Sequence, residues 1–532
     1  MLLKLSVTKI EPGAFSNCSS LSNITIPDSV KEIENSVFSH CTSLTQITVP
    51  DSIIVIRDWL FIDCTSLTKI TIPNSVTKIG NSAFENCSSL TTIAIPDSVT
   101  EIGESAFEGC SSLKKLIIPE NVDKIGNKAF SDCSSLTRIK LPNSITEFGS
   151  QVFKGCQSIE ILGNITNLKN NDFFSLTEIT IPDGVTKIEN GYFKDCSSLQ
   201  KIIIPESVTK IEDRAFYGCS SLSEIIIPNS VTEIGEGAFY GCSSLSNIVI
   251  PDSIIKISNN TFRDCSSLSN IIIPDGVTEI GSLSFSNCSS LTQITLPESV
   301  TKIGDNTFTH CSSLPKIILP NNIVKIGYMA FFGCYSLNEI HIPDNVKEIG
   351  DWLFAGCYSL TEITIPNSIT KIGGAFYGCS SLTKITIPNT IKDIGGKTFF
   401  LCSSLTQIKL PDYITKIRSA TFYGCSSLTN IIIPNSVDKI GENAFEGCFS
   451  ITEITVPSSV KKIEKNAFKD CNFLKIMIFL NPKTYIHELS IGYCINSNGL
   501  YIKNRDLTIK GYKNSTAEKY AQENGFKFVS LD

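Results

Sequence analysis

The chain has 532 residues, of which 42% are apolar and 18% charged, with a formal net charge of −7. That balance offers ample material for a buried core and lacks the basic footprint of a nucleic-acid binder. No run approaches the roughly 18 apolar residues of a membrane span; the longest near the end, Ile476 to Leu480, is five.

The opening residues pass straight into a repeat, with neither the apolar segment nor the small-residue cleavage site of a signal peptide. We therefore expect the true start to lie upstream; synthesis without a classical signal is the alternative. From Phe15 onward, twenty Phe residues are each followed three positions later by Cys, mostly at intervals of 23, as in Phe84–Cys87, Phe107–Cys110, Phe130–Cys133 and Phe216–Cys219. A fixed period of about 20–50 residues signals one supersecondary unit stacked many times. Such a solenoid lengthens without dividing into separate cores.

The stretch from Cys87 to Phe107 gives the plan of one coil. Leu90, Ile93 and Ile95 have the apolar spacing of a short strand entering from a turn, in the β-branched residues that a pleated surface prefers. Pro96 ends the strand, since it cannot donate to a ladder, and opens a corner completed by Asp97 and Ser98. Val99, Ile102, Phe107 and Cys110 then point inward from the other wall, through either a brief second strand or a 3₁₀ turn. The residue before each Cys is nearly always Gly, Asn or Asp, which predicts a left-handed corner. His40 and His310 are tolerable substitutes there, whereas Leu401 predicts local strain. Leu, Ile, Ile, Val, Ile, Phe and Cys form a seam that no single coil can bury, and Phe239→Ala is expected to cost about 3–5 kcal/mol.

The 21 cysteines would suit a disulfide scaffold, but their intervals are 23 except for one of 40 and one of 22. A regular ladder instead predicts small, buried, reduced thiols, one per coil. The interval of 40 marks a shortened coil near residues 157–182, which keeps Leu176, Ile179 and Ile181 but loses a proline corner and a Cys. A one-residue deletion falls at Gly373–Gly374, where glycine can absorb it. The plan is thus a solenoid of about 21 coils over 1–480 and a capping segment over 481–532. In the latter, Ser515 and Glu518 form a capping box, Ala517 to Asn524 favours helix and Gly525 suits its C-cap. A terminal cap covers what would otherwise be an open sheet edge.

Reactive chemistry is thinly signalled. Ser75 and Lys78 match S-x-x-K, but the match recurs because Ser ends the proline turn and Lys faces solvent. The histidines His40, His310, His341 and His487 are scattered and supply no metal geometry. There is no C-x-x-C, H-E-x-x-H, phosphate-binding glycine loop or EF-hand loop. We expect no catalytic, cofactor-binding or metal-binding residues and no enzyme activity.

The recurring text I-P-x-S-V-T-x-I-G-x-x-A-F-x-x-C-S-S-L-T resembles the BspA-like subclass of leucine-rich repeats over about residues 5–480. The resemblance implies a β-rich repeat solenoid, right-handed, with a parallel β-sheet on one face and a small α/β C-terminal cap. It also implies surface-exposed adhesion to extracellular-matrix proteins, plasma proteins or other cells, and it carries over no catalytic residue.

On the sheet face, Ile203, Ile226, Val249, Ile272 and Ile318 recur in one outward column interrupted by Thr295, and exposed apolar stripes mark partner sites. The plainer reading is that β-branched residues stabilise strands. Lys115, Arg138, Lys140 and Lys201 are expected to form a basic cluster on the same face. These nine residues are the candidate partner-binding face. The expected function is a monomeric, non-enzymatic protein-binding scaffold, an adhesin at the cell surface or secreted, with protein ligands and neither nucleic acid nor membrane insertion. An intracellular interaction scaffold is the alternative.

Overall fold

The computed structural model describes residues 6–163, 173, 176–495 and 500–532. The chain divides into two compact units, Met1–Ser253 and Ile254–Asp532. Each is a stack of coils joined by parallel strands.

Within a coil, a strand such as Lys115–Ile117 ends at Pro119, and the corner closes when Val122 N–H donates to the Pro119 carbonyl at 3.1 Å. A two-residue strand follows, Lys124–Ile125 in this coil, which decides the alternative left open by the sequence. The Phe and Cys then lie on a run of turns. Successive coils pair through both strands, and the turns form a third row of bonds: Phe84 N–H donates to the Ala106 carbonyl at 2.8 Å and Asn86 N–H to Glu108 at 2.7 Å. Proline-corner serines add a fourth contact, as Ser98 Oγ donates to the Val76 carbonyl of the preceding coil at 2.6 Å. Backbone polar groups that would otherwise be buried unpaired are thereby satisfied from coil to coil.

In the first unit a six-stranded parallel sheet runs Lys115–Ile117, Arg138–Leu141, Ser158–Gly163, Glu178–Thr180, Lys201–Ile203 and Glu224–Ile226. Its short strands form a second ladder, five-stranded from Val55–Ile56 to Glu147–Phe148. In the second unit a five-stranded ladder spans Lys256–Ile257 to Glu348–Ile349.

The core follows the predicted seam. From Phe15 to Phe153 each ring stacks on the next, with centroids 5.2–6.2 Å apart and planes within 18°, and all but Phe15 are buried. A second column runs from Phe262 to Phe468 at 5.0–5.8 Å. All 21 cysteines are free thiols, and of these only Cys18 is exposed. Glycine after the short strand reflects close coil approach: a Cβ on Gly103 would lie 2.7 Å from the Asn81 nitrogen and the Gly80 carbonyl carbon.

Each of the twenty residues preceding a Phe-x-x-Cys cysteine has φ between 56° and 78°, including Leu401 at 58°. A second left-handed corner, which the sequence does not announce, sits two residues before each Phe. Ser36, Trp59, Ser82, Leu283, Met329, Trp352 and Lys397 all hold φ of 50–61° there. The coil ladder enforces it, since Trp59 N–H donates to Asn81 O at 2.9 Å and Leu283 N–H to Asp305 O at 2.9 Å.

The shortened coil loses its proline corner over residues outside the described set. Beyond them, Phe173 occupies the cysteine's place: Leu176 N–H donates to the Phe173 carbonyl at 3.1 Å, as Leu90 N–H does to Cys87 at 3.0 Å. The C-terminal helix is Thr516–Asn524, with Ser515 Oγ accepting from Glu518 N–H and Gly525 left-handed at φ 67°. Glu518 reaches back to Asn514 N–H, one residue before the position a capping box would use. Helix and strands close the second unit, where Glu453–Val456, Ile476–Phe479, Thr508–Gly511 and Lys527–Ser530 make one parallel sheet.

Candidate binding face

A strand one face of which is buried sends alternate side chains to solvent. Lys201–Ile203 and Glu224–Ile226 both bury their central Ile and expose the flanking pair. Ile203 lies opposite Ile226 in register, and the column is open: Ile226 is 81%, Val249 72% and Ile203 46% exposed. Ile117, at 66% exposed and passed over by the sequence reading, holds the same place in its own strand but lies in register with Lys140. In the second unit, Ile272 lies opposite Thr295 and, like Ile318, is exposed.

Lys115 and Arg138 lie side by side in register, and Lys140 faces Ile117. Arg138 Nε lies 3.1 Å from Glu160 and Lys140 Nζ 3.0 Å from Glu120. Lys201 does not join this cluster. Two strands intervene, and it sits between Glu178 and Glu224, each at 3.9 Å, because acidic residues occupy the same column on both neighbours.

The shortened coil shifts the alignment of the whole sheet. Ser158–Gly163 pairs Glu160 with Arg138 on one side and with Thr180 on the other. The coil counterpart of Arg138 in the next strand is Glu178, so the ladder slips by two residues at this point. An even slip keeps inward residues inward. It brings Lys115, Arg138, Glu160, Thr180, Ile203 and Ile226 into one continuous hydrogen-bonded register.

The other ladder presents a different surface. Its first strand position alternates in charge, as in Lys78, Glu101, Lys124 and Glu147, whose neighbours meet at 2.9, 3.7 and 3.4 Å. Beside it runs an open groove of about 690 Å³ lined by Asn81, Gly103, Gly126, Asn127 and Gly149. These ion pairs neutralise one another at the surface and contribute little each.

Motif residues with reactive groups are occupied structurally. Ser75 Oγ of the S-x-x-K match donates to the Ile53 carbonyl at 2.6 Å. His40 Nδ1 lies 3.0 Å from Asp63, the left-handed residue of the next coil. Burial pushes the Cys110 thiol up to about 12, and Cys64 and Cys334 likewise. Among the described residues no group of three His, Cys, Asp or Glu side chains is placed to hold a metal, and no helix is long and apolar enough to cross a membrane.

The family model described as BspA type leucine rich repeat region (6 copies) matches residues 2–114, 61–175, 170–292, 255–375 and 373–498. The chain belongs to the BspA-type leucine-rich-repeat family. The BspA-type coils also match solved bacterial structures. A leucine-rich repeat protein from Bacteroides ovatus is 27% identical, with 82% of this chain and 88% of that one covered and a TM-score of 0.50. A leucine rich repeat protein from T. pallidum is 29% identical over 30% of this chain and 78% of its own, with a TM-score of 0.29. A leucine rich cell surface protein from Faecalibacterium prausnitzii is 26% identical over 71% and 83%, with a TM-score of 0.28. No curated protein matches. As a BspA-type repeat protein the chain is a scaffold of the protein-interaction type.

Proposed function

We propose that this BspA-type protein is a non-enzymatic adhesin, at the cell surface or secreted, that binds matrix or host proteins through the outward face of its longer-stranded sheet. The observation that carries the reading is the open apolar column of Ile203, Ile226 and Val249, in which the strand of Ile203 is held by hydrogen bonds to strands on both sides. β-Branched residues would stabilise strands there without a partner, yet Thr serves equally well at Thr48 and Thr71 in the same place. Exchanging Thr for Ile adds no inward packing and leaves apolar surface in water, which favours contact with a second protein. The family resemblance supports adhesion as the setting.

Solid-phase binding of the intact chain to matrix proteins and to host cells tests the proposal. Saturable binding that is lost in Ile226→Glu supports it. Absence of binding by protein whose circular dichroism and melting are intact counts against adhesion.

A further inference from the structure

The two-residue slip at the shortened coil has a consequence for the partner. Before it, the outward register carries cations; after it, the same register carries apolar groups. Lys114 and Lys115 have no carboxylate within ion-pair distance among the described residues, whereas Arg138 and Lys140 hold Glu160 and Glu120. The patch therefore keeps an excess of positive charge. Without the slip, Arg138 would align with Glu178, Lys201 and Glu224, a column that is already self-paired. With it, Arg138 aligns through Glu160 and Thr180 with Ile203 and Ile226.

We propose that the sheet face of the first unit takes an extended polypeptide segment lying across the strands, with acidic side chains over Lys115 and Arg138 and apolar side chains over Ile203 and Ile226. The inference rests on the sheet-face reading above and specifies the chemistry of the partner. Complementary charge selects the acidic end, and desolvation of the Ile column holds the other. Three strand steps separate Arg138 from Ile203, about 14 Å at about 4.8 Å per step. An extended peptide rising about 3.3 Å per residue covers that in about four residues. The segment is thus bipartite, with the two anchors about four residues apart.

The test is to pan a displayed library of random 15-residue peptides on the immobilised full chain. Enriched sequences are then resynthesised with a fluorescent label and titrated by anisotropy. The expected consensus has two or more Asp or Glu separated by about four residues from a pair of large apolar residues. Binding should weaken about tenfold in Lys115→Glu/Arg138→Glu and in Ile226→Glu, and should weaken as salt screens the acidic end. Lys115→Gln/Arg138→Gln and Ile226→Ser replace any variant whose melting shows that it does not fold. Enriched peptides without acidic residues, or insensitive to the Lys115/Arg138 change yet lost in the Ile226 variant, overturn this inference and leave the sheet-face reading standing. Peptides insensitive to both sets, or no enrichment at all, overturn the sheet-face reading with it.

Discussion

Cys110 donates its Sγ–H to the carbonyl oxygen of Phe84, in the preceding coil, at 3.2 Å. The same bond recurs within both units, as at Cys64 to Phe38, Cys334 to Phe308 and Cys425 to Phe399. Cys196 follows the shortened coil, and its Sγ lies 4.0 Å from the Lys194 carbonyl. The cysteine thus does two things at once: it fills a small apolar site, and it adds a donor from the next coil to a carbonyl that already accepts its own turn's N–H, as Phe84 O does from Cys87 N–H at 3.1 Å.

The buried thiols should be inert. Burial holds the Cys110 thiol at about 12, so at pH 8 about one part in 10⁴ is thiolate, the form that reacts. Iodoacetamide at pH 8 is expected to spare Cys41 through Cys471 in the folded protein and to modify all 21 cysteines after unfolding in guanidinium. Mass spectrometry reads the result, and fast labelling of folded Cys110 would contradict it.

Leu401 is a bulky side chain at φ 58° in a corner where its counterparts are mostly Gly, Asn and Asp. Left-handed backbone costs a non-glycine residue about 1 kcal/mol or more. Leu401→Gly is expected to stabilise by about 1 kcal/mol, and Leu401→Asn by less, in denaturant unfolding. Destabilisation of that size would show that the Leu401 side chain, which lies over Gly424, contributes more by packing than its backbone costs.

Phe239 is fully buried and stacks on Phe216 at 5.3 Å. Phe239→Ala should cost about 3–5 kcal/mol. The loss is expected to appear first as faster amide exchange in the flanking coils, because each coil leans on its neighbours rather than on a common centre. Exchange unchanged outside residue 239 itself would argue against a continuous spine.

Glu279 lies between Lys302 at 2.7 Å and Lys256 at 3.2 Å. Hydrogen bonding to Lys302 holds its carboxyl below the usual carboxylate range. A depressed carboxyl stabilises the fold above its unfolded pKa and loses that contribution as pH falls through the folded value. Lys325 is raised by Glu348 and has the opposite sign, its contribution being lost as pH rises through the folded value. Melting temperature should therefore be flat between the carboxylate and ammonium ranges and fall on either side. Glu279→Gln should lower the plateau slightly and soften the acid limb; an unchanged acid limb would mean that Glu279 does not take part.

The fold was legible because its punctuation is repeated in chemistry that only one backbone suits. Gly, Asn and Asp before Cys announce one left-handed corner, and Pro announces the other turn. The corner two residues before Phe was not legible, since Trp59, Leu283 and Met329 carry no preference for positive φ and are held there by the neighbouring coil's carbonyls. On the face, the outward column of Ile226 and Val249 could be read from alternation within a strand. The alignment of Arg138 with Ile203 could not, because it depends on how the sheet realigns across a six-residue shortfall. Period and composition alone do not choose among the possible registers.

The central claim is that the outward sheet face of the first unit is the contact surface. Its most direct measurement compares Ile203→Glu/Ile226→Glu/Val249→Glu with Glu101→Gln/Lys124→Gln, on the opposite ladder, for binding to whichever matrix protein captures the wild-type chain. The account expects the sheet-face variant to lose binding and the ladder variant to keep it, with both folded by circular dichroism. Retained binding in the first, or loss in the second alone, would contradict it.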